Sequence, residues 1–127
     1  ERLHEQVRTE LWGYAPKERL SIEELLQVRY QGIRPAPGYP PCPDHGDKGI
    51  LWELLEPEPY GMRLTESYMM VPGASVSAYI IGQPESKYFS VGRVAKDQVA
   101  DYAARKGIPV ADAERRLQSV LAYEPEE

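Results

Sequence analysis

Leu3, Val7 and Leu11 recur at a spacing of four, laying an apolar stripe along a first helix that Gly13 and Pro16 end. A second helix starts at Ser21, where a capping box with Glu24 and a staple between Leu20 and Leu25 fix the entry. Ile22, Leu25, Leu26 and Tyr30 lie along one of its faces, and Gly32 stops it. Asp47 caps a short third helix with Ile50, Leu51, Leu54 and Leu55 directed inward, closed by Pro57 and Pro59. From Met62 to Val94 the texture changes. LTESYMMV, SVSAYII and YFSVGRV read as strands, and the short PGA and GQPESK connections make neighbours antiparallel. Val99, Tyr102 and Ala103 mark a helix over Asp97 to Lys106, ended by Gly107. Beyond Pro109, the pattern Val110, Ala113, Leu117, Val120, Leu121 predicts a last helix, and the YEPEE tail is expected to fray. Helices, strands and helices in that order predict an α+β fold, a mostly antiparallel sheet of three or more strands flanked by helices.

Composition narrows this picture. A chain of 127 residues supports one modest core, so 1–127 reads as a single domain. It begins at Glu1 without an initiator Met, as a processed chain or a piece of a longer one would. The hydrophobic share of 42% and charged share of 28% are those of a soluble globular class. No apolar run is long enough to span a bilayer, and the start does not resemble a signal peptide. The lone cysteine, Cys42, rules out an internal disulfide and suits a reducing cytoplasm. A net charge of −5 sets nucleic acid aside as a partner, because phosphate binding needs a basic face. The informative departure is 12 Pro and 9 Tyr against one Phe. Tyrosine joins an apolar ring to a polar tip, which suits half-buried binding surfaces as well as cores.

Most of the chemistry is concentrated in GIRPAPGYPPCPDH. Five prolines within residues 34–45 remove backbone donors and exclude the α region for their predecessors, so this segment is a stiff, extended loop. Arg34 offers a planar fork matched to a carboxylate, Gly38 lets backbone approach a ligand, and Tyr39 sets a flat ring beside it. Residue physics alone leaves a second account open, a proline-rich connector with Arg34 in a salt bridge.

RPAPGYP followed by CPDH and preceded by YQGI resembles the signature loop of the reactivation domain of cobalamin-dependent methionine synthase. ERLHEQVR, KGILWELL, LTESYMMVPGASVS, SKYFSV and KDQVADYAARKG resemble successive blocks of the same family in the same order, over nearly the whole chain. The resemblance implies the C-terminal portion of a C-shaped domain that binds S-adenosylmethionine in a groove on its inner surface. It implies an enzyme that methylates homocysteine with methyltetrahydrofolate in methionine biosynthesis, of which this segment alone is not catalytic. Cobalamin is held by another domain and zinc by another module. When the cofactor oxidises to cob(II)alamin, flavodoxin or an equivalent flavoprotein supplies an electron and S-adenosylmethionine the methyl group. By the same resemblance Arg34 pairs with the ligand carboxylate, Ala36 makes a backbone contact, Tyr88 and Phe89 contact the ligand from the sheet, and Tyr39 faces the corrin. An acidic residue for the ligand's amino group belongs to the family's N-terminal half of the domain. The rival reading is therefore a docking module for a corrinoid domain or flavoprotein that binds no S-adenosylmethionine by itself. Methyl transfer from a sulfonium depends on distance and alignment, so no residue is assigned as general acid or base.

Other groupings have plainer readings. Cys42, Asp44 and His45 with the distant His4 are too few for a closed zinc site, and Cys42 with His45 lacks a third group to orient a nucleophile. Glu66, on the parity of Leu64 and Tyr68, faces either a groove or a partner at an edge. Trp12 and Trp52 read as core or interface anchors, and no GxGxxG, GxxxxGK or HExxH pattern occurs.

Overall fold

The computed structural model describes residues 1–126, so the last residue of the YEPEE tail lies outside the described residues. Two compact units are present: Glu1–Pro35 with Tyr79–Tyr88, and Ala36–Ala78 with the chain from Phe89 onward.

In the first unit, α1 (Arg2–Gln6) runs directly into a π-helical stretch, Val7–Leu11, whose closing bond joins Trp12 N–H to Val7 O at 3.1 Å. Its buried face differs from the expected one. His4 and Arg8 are 3% and 0% exposed, whereas Leu3 and Leu11 are exposed at 68% and 73%. Both faces carry a spacing of four, and tertiary contacts select the polar one. The Arg8 guanidinium lies 4.7 Å from the centroid of the Tyr30 ring, and the His4 ring meets that same ring edge-on at 4.9 Å. The next helix, α2 (Ile22–Leu26), begins at the expected capping box: Glu24 N–H donates to Ser21 Oγ at 3.2 Å and Ser21 N–H to Glu24 Oε2 at 2.8 Å. Ile22 and Leu26 nevertheless face outward. Beyond it, Ile33 and Ile81 exchange backbone hydrogen bonds of 3.0 and 2.9 Å as an isolated antiparallel bridge. Gly32 permits that approach. Its φ is +80°, and a Cβ there would lie 2.2 Å from Ile81 O.

Burial of His4 gives this unit a pH dependence. Desolvation, aided by the charge of Arg8, lowers the imidazole pKa to about 4, outweighing the opposing pull of Glu1. The unfolded chain takes up a proton at His4 near pH 6.5, and the folded chain does so only near 4. Stability from this residue is complete above 6.5 and is lost as pH falls towards 4, up to roughly 3 kcal/mol at about 1.4 kcal/mol per pH unit. Denaturant unfolding of the parent and of His4→Phe between pH 7 and 4 checks this. Identical pH profiles would show that His4 carries none of the dependence.

In the second unit, α3 (Asp47–Leu55) starts with Gly46 as its capping position, so Asp47 lies in the first turn instead of at the cap. Ile50, Leu54 and Leu55, expected inward, are exposed, and Lys48 is the buried residue of the helix. A 3-10 turn (Glu58–Tyr60) follows, then β1 (Arg63–Leu64) and β2 (Met70–Val71), paired antiparallel with Arg63 opposite Val71 and Leu64 opposite Met70. The sheet is thus two-stranded where three or more strands were expected. LTESYMMV is a hairpin instead of one strand. Tyr68 takes φ +60°, Thr65 N–H donates to Met69 O at 2.9 Å, and the Thr65 hydroxyl accepts Met69 N–H at 3.0 Å, reversing the chain. Glu66 consequently sits exposed in the turn. SVSAYII and YFSVGRV contribute isolated bridges at Ile81 and Val94 instead of strands.

The core of this unit lies where the 3.6-residue period was clearest. Val99 and Ala103 of α4 (Lys96–Lys106) pack with Ala113 and Leu117 of α5 (Val110–Leu117) and with Leu121, all at most 5% exposed. Gln98 accepts the Ala95 N–H at 2.9 Å, half of a capping box, since Ala95 has no side-chain acceptor. The final helix ends earlier than expected, passing through a 3-10 turn (Gln118–Val120) into extended backbone at Leu121. Val94 N–H then donates to Val120 O at 2.8 Å and Ala122 N–H to Val94 O at 2.9 Å, forming a parallel bridge. The tail is anchored at its start, because Tyr123 packs on this core and its hydroxyl donates to Glu114 at 2.8 Å. No helix among the described residues is long and apolar enough to cross a membrane.

Candidate ligand-binding site

The proline-rich loop begins in the first unit and continues in the second. In the first, Ile33 is pinned by its bridge to Ile81, which fixes the start of the loop. The next residue, Arg34, has both backbone and side chain engaged. Its N–H donates to the Tyr88 hydroxyl at 2.9 Å, and Nη2 donates to Glu1 Oε2 at 2.9 Å, with the side chain 40% exposed. Arg34 and Tyr88, separated by 54 residues, are therefore brought together. The Tyr88 hydroxyl also lies 3.2 Å from that of Tyr30, which is 8% exposed. Burial and Tyr88 push the Tyr30 phenol up to about 12, so it keeps its proton at neutral pH.

Behind this pair stands a buried arginine. Arg8 Nε donates to Glu18 Oε1 at 2.6 Å and Nη1 to Glu1 Oε1 at 3.0 Å, so Glu1 accepts from Arg8 and Arg34 together. Arg8 Nη2 is buried without a hydrogen-bond partner among the described residues. Arg8, Glu18 and Tyr30 are absent from the sequence-based site, because a charged residue beside an apolar stripe reads as solvated and Tyr30 reads as part of the apolar face of its helix.

In the second unit the loop folds on itself. Tyr39 N–H donates to Ala36 O at 3.2 Å, Cys42 N–H to Tyr39 O at 2.8 Å and Gly38 N–H to Cys42 O at 2.7 Å. The backbone of Ala36 is thus engaged within the loop, and the Tyr39 ring stands 65% exposed beyond it. Gly38 (φ +97°) lies against the His45 imidazole, where a Cβ would approach Cε1 to 2.0 Å. Val91 N–H donates to Pro40 O at 3.0 Å, tying the loop to the segment that begins with Phe89, itself 58% exposed.

The CPDH residues serve as the footing of this loop. Asp44, 3% exposed, accepts Gly46 N–H on Oδ1 and the Tyr102 hydroxyl on Oδ2, both at 2.6 Å. Lys106 Nζ and Arg116 Nη1 lie 3.6 and 3.8 Å from Oδ2, and Lys106 also pairs with Asp47. Four donors converge on a residue whose sequence context suggested only a weak metal ligand. Burial and the neighbouring Asp47 raise the Cys42 thiol to about 11, so it is not a thiolate at neutral pH. His45 Nδ1 lies 2.7 Å from Lys48 Nζ, and burial with that cation lowers its pKa. Among the described residues no group of three or more His, Cys, Asp or Glu is placed to hold a metal.

These features describe a small α+β module with a braced, proline-rich loop. Residues 1–107 match the model of the family described as the activation domain of vitamin B12 dependent methionine synthase, and the chain belongs to that family. A solved structure described as the MetH reactivation domain bound to AdoHcy is similar over 97% of this chain, with a TM-score of 0.89 and 56% identity. The chain spans 38% of the length of that solved chain.

Proposed function

We propose that this chain is the C-terminal portion of a C-shaped reactivation domain and helps hold S-adenosylmethionine during repair of the cobalamin cofactor of methionine synthase. The observation that carries the reading is Arg34, a half-exposed guanidinium on a braced loop, with its backbone N–H bound to Tyr88. The AdoHcy in the related structure carries an amino-acid carboxylate, which suits such a fork. In this reading Ala36, Tyr88 and Phe89 complete the contacts from this chain, and the exposed ring of Tyr39 faces the corrin.

The corrin, held by another domain of the same enzyme, would supply a nucleophilic metal as the methyl acceptor, with flavodoxin or an equivalent flavoprotein as the electron donor. The residues of this chain contribute position. Arg34 orients the carboxylate end of the donor, the stiff loop limits its movement, and S-adenosylhomocysteine leaves with the sulfur electron pair. Displacement at a sulfonium methyl needs alignment more than proton transfer, so no residue here acts as acid or base.

A docking role accompanies this one and is favoured by a separate observation. Leu11, Trp12, Ile22 and Leu26 in the first unit and Ile50, Leu54 and Leu55 in the second are all more than half exposed. These exposed apolar side chains are open to contact with another module.

Calorimetry of the full-length protein tests the binding role. Arg34→Ala weakens S-adenosylmethionine binding by roughly 1.5–3 kcal/mol, because it removes a charge-assisted pair. Arg34→Lys restores only part of the loss, since it lacks the fork. Unchanged affinity in the alanine variant removes Arg34 from the site.

A further inference from the structure

We infer that Tyr30 and Arg8 are positioning residues for Arg34, joined to it by a relay of side chains within the first unit. The inference rests on the reading of Arg34 as the ligand's carboxylate partner, and it assigns roles to residues outside that binding set.

Two routes connect Arg8 to Arg34. Along the first, Arg8 lies over the Tyr30 ring at 4.7 Å, the Tyr30 hydroxyl meets that of Tyr88 at 3.2 Å, and Tyr88 accepts the Arg34 N–H at 2.9 Å. Along the second, Glu1 accepts from Arg8 at 3.0 Å through one oxygen and from Arg34 at 2.9 Å through the other. The first route sets the backbone of Arg34 and the second sets its guanidinium. Neither route needs Arg8 or Tyr30 to touch a ligand.

The burial of Arg8 supports a role beyond stability. Removing a guanidinium from water is costly, and replacing a buried ion pair with apolar side chains is often neutral or stabilising. Arg8 is nevertheless fully buried, with Glu18 and Glu1 as partners and Nη2 without one among the described residues. An apolar residue would fill the same space but would fix neither Glu1 nor the face of Tyr30. Tyr88 is 39% exposed and can turn unless its hydroxyl is held, and Tyr30 is the buried group that holds it.

Tyr30→Phe in the full-length protein tests this, since it removes one oxygen and keeps the ring under Arg8 and His4. Losing one hydrogen bond from the relay raises the Kd for S-adenosylmethionine about five- to tenfold. In an Arg34→Ala background the same change adds less than about twofold, because residues that act through one another are not additive. A merely structural tyrosine produces equal losses in both backgrounds, which would overturn the inference. A ligand-free readout separates this from failure of the binding reading. Hydrogen exchange at the Arg34 amide speeds up in Tyr30→Phe without ligand, and unchanged exchange overturns the relay whatever the affinity. If exchange speeds up but Arg34→Ala binds normally, the proposed binding site fails and the positioning role falls with it. Arg8→Lys keeps the charge but loses the fork, and it gives the same non-additive pattern. Additive loss in that variant also counts against the relay.

Discussion

Asp44→Ala lowers the unfolding free energy by about 3–5 kcal/mol, the range for removing one partner of a buried charge cluster. Asp44 is 3% exposed and is the shared acceptor for Gly46 N–H and Tyr102 hydroxyl, with Lys106 and Arg116 beside it. Truncation leaves the hydroxyl and the amide without this acceptor, removes the carboxylate beside Arg116, and leaves Lys106 with Asp47 alone. The neighbouring pKa shifts agree with this. Burial and then the Asp44 hydrogen bond raise the Tyr102 phenol above its ordinary range. For Lys106, burial works against the charge, but the Asp47 hydrogen bond and further contacts outweigh it and raise the pKa. Asp44→Asn keeps one acceptor oxygen, for Gly46 N–H, but sets an NH2 where the second oxygen took the Tyr102 hydroxyl, and it loses less than alanine, about 1.5–3 kcal/mol, as for a hydrogen bond to a charged group. Urea unfolding of the three proteins measures the series. A loss below about 1 kcal/mol in the alanine variant would show that the cluster is not what holds the CPDH end of the loop.

Tyr39→Ala has its largest effect on a different measurement. The loop backbone around Tyr39 is fixed by the bonds linking Ala36, Gly38, Cys42 and Val91, none of which uses the phenol ring. The exposed ring is therefore removable with little change in melting temperature. Under the proposed function, binding of S-adenosylmethionine and primary turnover of the complete enzyme stay close to the parent. Reductive remethylation falls on the order of a hundredfold, because a misplacement of about 1 Å between reacting groups costs that much. If all these activities fell together with the melting temperature, Tyr39 would be a packing residue. Normal stability with normal remethylation would leave its ring without a docking role.

The extent of legibility differs between neighbouring segments. The capping box of α2 was readable because Ser21 and Glu24 are three residues apart and satisfy each other locally. The core of α4 and α5 was readable because their apolar stripes bury against each other across a short connection. The stiffness of the 34–45 loop follows from proline geometry, which needs no tertiary partner. For these features the sequence acts through contacts a few residues long.

Tertiary structure decided the rest. LTESYMMV has the composition of a strand, but Tyr68 at φ +60° and the paired bonds of Thr65 to Met69 make it a hairpin. Across α1 and the π-helical stretch after it, the His4/Arg8 face and the Leu3/Leu11 face carry the same period, and only the Tyr30 ring and two glutamates determine which is buried. The loop singles out Arg34 as a candidate, yet its bracing by Tyr88 spans 54 residues and that of Tyr88 by Tyr30 spans 58. Asp44 and Tyr102 are likewise 58 residues apart. Sequence by itself determined the local elements, the stiff loop and the residue types it presents. The fold decided which polar groups are buried together, because such groups become interpretable only when their distant partners are in place.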